Sequence, residues 1–153
     1  MIRLLDDHRL QAIKPAFSTR NVPLEAVKAL DTTANKPNAG DVLIARVIKP
    51  GRLQRLELPT GRKSALYAGD EIMVAYGNRY APDAYEALLP KSLGPCDLAA
   101  AGGLAADVVE TNAIFANPKK NSPTRLEPLG LCVGETGNVQ LRRDLDNLIT
   151  HAS

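Results

Sequence analysis

The sequence has few aromatic residues and no tryptophan. Phenylalanine, tyrosine and tryptophan together make up 4% of the 153 residues. A core built from this chain must therefore consist mainly of leucine, valine, isoleucine and alanine. The scarcity also weakens any hypothesis of single-strand nucleic-acid binding by base stacking, because stacking platforms need exposed rings.

Cysteine and histidine are equally scarce. The two cysteines, Cys96 and Cys132, form no CxxC pair, and their spacing argues against a zinc site. We expect two reduced, partly buried thiols, with a disulfide between them as the alternative. The two histidines, His8 and His151, lie near the ends of the sequence, where chain segments tend to fray. Because a catalytic base needs fixed geometry, we interpret both as surface residues.

No long apolar run is present. The first residues, MIRLLDDHRLQ, contain no apolar segment of the length found in signal peptides. No stretch approaches the roughly 20 apolar residues of a transmembrane helix. We therefore expect a cytoplasmic protein without a membrane partner. The net charge of +2 is too small to imply a polyanionic partner by itself.

The middle of the chain consists of short apolar runs separated by turn residues. Turns every 8–12 residues predict an antiparallel meander, and short meanders usually close into small barrels because closure removes exposed edges. We predict a mainly β protein with minor α content: a small closed or partly open antiparallel β-barrel with a short N-terminal helix. The expected strands of the meander are 42–48, 53–58, 64–67 and 71–76.

The segment before the meander contains the predicted helix. Pro23 suits a first helical turn, and Leu24, Val27 and Leu30 follow at helical spacing, so the helix is expected to end near Asp31. The domain organisation that follows is an N-terminal extension over 1–39, a barrel-like domain over 40–143 and a C-terminal tail over 144–153.

Two further strands are expected around Gly102-Gly103, at 97–101 and 104–111. A helical alternative for 99–106 stays open, because that stretch is rich in alanine. The run 126–133 is interrupted by Pro128 and Gly130, which is typical of an edge or a bulged strand.

Two glycine-containing stretches superficially resemble phosphate loops. The segment 60–64 (TGRKS) has Glu57 and Leu58 where a P-loop needs its first glycine, and strands rather than a helix are expected around it. The segment 101–106 (AGGLAA) lacks the G-x-G-x-x-G spacing and the βαβ frame. We interpret the first as a hairpin turn and the second as a bulge or a close backbone contact in a strand, with phosphate contact as the alternative.

The densest polar cluster follows the strand 71–76. Gly77-Asn78 permits a sharp turn that presents Arg79 between tyrosines, and an arginine fork with ring walls is suited to a carboxylate or phosphate. The structural alternative is a corner in which Arg79 pairs with Asp83. The candidate ligand-binding residues are Asn78, Arg79, Tyr80, Asp83 and Tyr85.

A basic hairpin is the second candidate surface. It carries five cationic residues against Glu57 alone, and such a surface can contact a nucleic-acid backbone. The alternative is an ordinary solvated hairpin. The residues are Lys49, Arg52, Arg55, Arg62 and Lys63.

The leading hypothesis for function is a non-enzymatic barrel domain, an accessory or regulatory subunit that binds a protein partner, a second copy of itself or a small anionic ligand. A nucleic-acid-binding barrel that uses the basic hairpin is the first alternative. A small enzyme with a site around Asn78–Asp83, with Cys96 as a further member, is the second. No complete catalytic or metal motif is present in the sequence, and no cofactor is expected.

Overall fold

The protein is mainly β, and five of its strands close into a barrel. The computed structural model describes residues 2–33, 36–79, 86–109, 114, 116–117 and 121–141. In these ranges no helix is long and apolar enough to cross a membrane. The helix and strands are β1 (Ile2–Leu4), α1 (Asp7–Ala12), β2 (Lys14–Pro15), β3 (Ala29–Asp31), β4 (Val42–Lys49), β5 (Arg55–Glu57), β6 (Lys63–Ala65), β7 (Glu71–Tyr76), β8 (Ala87–Leu88), β9 (Cys96–Ala100), β10 (Leu104–Val108), β11 (Thr124–Gly134) and β12 (Gly137–Asn138).

The barrel closes in the order β4, β7, β10, β9, β11 and back to β4. Four of these five junctions are antiparallel, and the junction of β7 with β10 is parallel. The predicted mainly β fold with a closed barrel is confirmed. The parallel junction departs from the fully antiparallel barrel that the sequence predicted.

Strands β4 and β7 are buried on both faces. Leu43 and Val74 lie in the barrel interior, whereas their neighbours Ile44 and Met73 belong to a second core outside the barrel. This double burial explains why the two strands have nearly continuous apolar sequences rather than an alternation of apolar and polar residues.

The second core is covered by the segment before residue 40. Strand β2 pairs with β7, strand β3 pairs with β11, and α1 packs its Leu10 into the same core. The carboxylate of Asp6 caps α1 by accepting from the backbone N–H of Arg9 at 2.7 Å. This N-terminal layer is therefore the outer wall of three barrel strands.

The helix predicted from Pro23 to Asp31 is wrong. The structure has a 3₁₀ turn at Leu24–Ala26, and the chain then extends into β3. Val27 and Leu30, two of the residues at helical spacing, are nevertheless fully buried in the second core. Pairing with β11 overrides their helical spacing. The short helix of the N-terminal region is α1 instead.

The predicted four-strand meander is also wrong in its pairing. Strand β4 pairs directly with β7, and β5 pairs with β6 in a separate two-stranded ribbon. Leu56 and Leu66 of this ribbon segment are buried in the barrel core. The ribbon therefore packs against the barrel instead of forming part of its wall.

The stretch 99–106 forms strand, turn and strand, as the strand prediction expected. Gly103 has a φ of +104°, and a Cβ atom added there would collide with the Cβ of Ala16. The pairing of β9 with β10 shifts register between Leu104 and Ala105. These features support the interpretation of Gly102-Gly103 as close backbone packing beside a bulge.

Strand β11 is bulged and is not an edge strand. It pairs with β4 on one side, and with β9 and then β3 on the other. The register against β4 shifts between Pro128 and Gly130, which accommodates the missing proline N–H.

Candidate functional site

A large cleft lies where β7 ends and β10 begins. Its volume is about 760 Å³. We name it the terminal cleft. The N-terminal layer, the loop before β4, the end of β7, the β9–β10 turn and the residues after β12 all contribute to its wall. The lining residues are Phe17, Ser18, Asn38, Ala39, Gly40, Ala75, Tyr76, Gly77, Asn78, Ala100, Gly102, Gly103, Leu104, Gln140 and Leu141.

One side of the terminal cleft is organised by a buried carboxylate, that of Asp41. This side chain is 1% exposed and accepts from the backbone N–H of Asn38 at 2.8 Å and from Nε2 of Gln140 at 2.6 Å. The loop before β4 and the residues after β12 are thus joined through one charged group. The sequence contains no signal for this contact, since Gln140 lies 99 positions from Asp41.

The other side is the β9–β10 turn, residues 100–103, which is fixed from two directions. Ser18 donates its N–H to the carbonyl of Gly102 and its hydroxyl to the carbonyl of Gly103, both at 2.8 Å. The N–H of Glu57, in the ribbon, donates to the carbonyl of Ala101 at 2.8 Å. The turn is therefore a stable wall between the N-terminal layer and the ribbon.

Behind the same turn is a second, cationic groove. Arg52, Leu53 and Arg79 line a space of about 330 Å³ together with residues 99–102. Arg52, Arg55 and Lys63 line an adjoining space of about 220 Å³ that shares Ala101 with the first. We call the two spaces together the basic groove. Ala100 and Gly102 line both the terminal cleft and the basic groove, so the two are separated by a single turn.

The structure thus brings together two surfaces that the sequence presented as separate. Arg79, from the polar cluster, lies beside Arg52 of the basic hairpin. Lys49 and Arg62 were predicted to belong to the basic surface, but neither lines the groove. Lys49 ends β4 opposite Arg125, and Arg62 is an exposed residue of the β5–β6 turn.

The polar cluster itself has a structural component. Asn78 accepts from the N–H of Leu89 through Oδ1 at 2.7 Å. Arg79 and Ala87 exchange two backbone hydrogen bonds of 2.8 Å, which fixes the backbone of Arg79 independently of its side chain. The remaining predicted members, Tyr80, Asp83 and Tyr85, lie outside the described residues, and so does the predicted pairing of Arg79 with Asp83.

The buried thiols are poorly suited to nucleophilic chemistry. Burial, reinforced by the nearby carboxylates of Asp107 and Asp97, raises the pKa of Cys96 to about 12. Burial also raises the pKa of Cys132. Both thiols are free and fully buried, where partly buried thiols were predicted, and with their raised pKa both are protonated at neutral pH. His8 is exposed on α1, and His151 lies outside the described residues.

A further cleft, of about 550 Å³, lies beside β12. Its wall includes Glu25, Lys28 and the exposed turn residues 135–138. The terminal cleft is the better candidate site, because its wall contains barrel strands and a turn held by the three hydrogen bonds from Ser18 and Glu57, rather than an exposed turn. Among the described residues, no three His, Cys, Asp or Glu side chains are grouped as a metal site.

Comparison with known proteins adds no relative: the chain matches no family model, no curated protein and no solved structure. Any functional conclusion therefore depends on the geometry of the terminal cleft and the basic groove.

Proposed function

We propose that this chain is a non-enzymatic binding domain that holds a small molecule in the terminal cleft. The observation that carries the proposal is the cleft itself, about 760 Å³ in volume. Ligand pockets in proteins typically measure roughly 300–1,000 Å³ and combine an apolar wall with a few placed polar groups. The terminal cleft has both properties.

The side-chain amides on its wall have partly used hydrogen-bonding capacity. Gln140 uses Nε2 on Asp41, so its Oε1 remains an acceptor, and Asn78 uses Oδ1 on Leu89, so its NH₂ group remains a donor. Phe17 and Leu104 supply apolar surface. Within the cleft, this combination suits an apolar body with uncharged hydrogen-bonding groups.

The lining groups are better suited to binding than to catalysis. The hydroxyl of Ser18 donates to a backbone carbonyl of the turn, and this bond makes it a structural group. The hydroxyl of Tyr76 has its pKa raised mainly by burial, which disfavours its use as a base. The amides of Asn38, Asn78 and Gln140 do not ionise near neutral pH, so they cannot serve as general acids or bases. Recognition is the task that such a wall performs best.

The test is a fragment screen of the whole chain by two-dimensional amide NMR. We expect the fragments that bind to shift the amides of Gly40, Gly77, Gly102 and Leu141 together. The variant Gly102→Leu is expected to abolish these shifts, because an added Cβ meets no atom within 4 Å at this position and a larger side chain fills free space at the wall.

The control is Lys91→Leu, which places the same leucine side chain at an exposed position that lines neither the cleft nor the groove. It should leave the fragment shifts unchanged. Fragment-induced shifts scattered over the surface, or shifts at the cleft that survive Gly102→Leu, would contradict the assignment of the terminal cleft as the binding site.

A further inference from the structure

The basic groove lies directly behind the wall of the terminal cleft. Its cations come from two separate parts of the chain: Arg52, Arg55 and Lys63 from the ribbon segment, and Arg79 from the segment after β7. We propose that the basic groove is an anion subsite, and that the ligand of the terminal cleft carries a phosphate group that binds there. The proposal rests on the proposed function and specifies the chemical class of the ligand.

The charge of the groove supports an anionic occupant. Four cationic side chains line it, and Glu57 is the acidic residue beside them on the ribbon, opposite Lys63 in the pairing of β5 with β6. No described acidic side chain forms an ion pair with Arg55, Lys63 or Arg79. Elsewhere on the barrel, Arg9, Lys14, Arg46 and Arg125 do form such pairs. A phosphate can therefore supply the counter-charge that Arg55, Lys63 and Arg79 lack among the described residues.

The turn between the two spaces is narrow and firmly held. Ala100 and Gly102 line both spaces, and Gly102 has no side chain that would block passage from one to the other. The carbonyls of Ala101, Gly102 and Gly103 all accept hydrogen bonds from the protein. The N–H groups of Ala101 and Gly102 donate to no described residue. These two N–H groups therefore remain available as hydrogen-bond donors for an anion.

The shape of the groove favours a small phosphorylated molecule over a polynucleotide. Its two parts measure about 330 and 220 Å³, and its lining residues include no aromatic side chain on which a base would stack. Lys49 and Arg62, which would extend the charge along the hairpin, do not line it. The cations are gathered round one turn rather than spread along a track.

The experiment titrates the whole chain with inorganic pyrophosphate and follows the amides of Ala101 and Gly102 by NMR. We expect saturable shifts at these amides, and an affinity that falls by about fivefold in Arg79→Gln and in Lys63→Gln, since each removes a charged hydrogen-bond donor at the groove. The matched controls are Arg62→Gln and Lys49→Gln, which make the same change in net charge outside the groove. They should alter the affinity by less than about twofold.

Equal losses in all four variants would overturn the proposal, because they would show a general charge effect. The proposal would also be overturned if a dT oligonucleotide bound more tightly than pyrophosphate, with an affinity that falls steeply with salt. That result would assign the groove to nucleic acid. The double variant Arg79→Gln/Lys63→Gln separates this proposal from the proposed function. If the double variant keeps the fragment shifts at the terminal cleft and binds pyrophosphate as tightly as the unaltered chain, the anion subsite alone is refuted. If fragments cause no shifts at the cleft even in the unaltered chain, the binding domain is refuted.

Discussion

Gly103→Ala is the substitution for which the structure gives the sharpest expectation. The backbone of Gly103 has a φ of +104°, a conformation that residues with a side chain rarely adopt. The added methyl group would collide with the Cβ of Ala16 and lie 2.8 Å from Oγ of Ser18. Ala16 cannot easily move away, because it is fully buried and its N–H donates to the carbonyl of Met73 at 2.9 Å. We therefore expect a marked loss of stability.

The expected loss of folding free energy in Gly103→Ala has two parts. Forcing a side-chain-bearing residue into the left-handed region costs about 1–2 kcal/mol. Overpacking a filled core costs a further ~1–3 kcal/mol. The sum, about 2–5 kcal/mol, corresponds to a fall in melting temperature on the order of 10 °C for a domain of this length.

Thermal and urea unfolding, each followed by circular dichroism, measure this loss. The control is the neighbouring Gly102→Ala, where the added Cβ meets nothing within 4 Å and φ is not positive. A change of less than about 1 kcal/mol is expected there. If both variants lost the same stability, or if Gly103→Ala were neutral, the described packing of the turn on Ala16 would be wrong.

Three further predictions concern single side chains. Asp41→Ala removes the acceptor of Gln140 and should cost about 1–3 kcal/mol in urea unfolding, and a neutral result would refute its structural role. Cys96, with its pKa raised to about 12, should react with a thiol reagent at pH 8 only after denaturation; rapid labelling of the native chain would contradict its burial. The pKa of Asp107 is raised by desolvation and by Asp97, so its ionised form is disfavoured in the folded state. Asp107→Asn should therefore raise the melting temperature at pH 7 and have no effect near pH ~3, below the unfolded pKa; equal effects at both pH values would contradict the shift.

The local part of the fold was predictable from the sequence. Strand β7 has its predicted bounds, and β4 differs from the prediction by one residue, because each is a short apolar run bounded by turn residues. The helical spacing of Leu24, Val27 and Leu30 was misleading, because the same three positions also suit a 3₁₀ turn that leads into a strand. Pairing partners distant in sequence decide between the two, and spacing along the chain contains no information on them.

The candidate site was predictable only in fragments. Arg79 and the ribbon cations were identified by charge and by neighbouring turn residues, but their meeting at the β9–β10 turn depends on barrel closure. The ribbon reaches that turn through one hydrogen bond, from Glu57 to Ala101. Asp41 and Gln140 belong together for the same reason, since the residues that follow β11 return to the start of β4.

The hydrogen bonds that hold the β9–β10 turn allow ligand binding at the turn to be detected by amide hydrogen exchange. The N–H groups of Ser18 and Glu57 come from two different layers, and both end on carbonyls of this one turn. A ligand that stabilises the turn must make local opening rarer, and so slow the exchange of both amide hydrogens with solvent. Matched slowing at these two sites, 39 residues apart in sequence, would show that the N-terminal layer and the ribbon sense the same bound molecule.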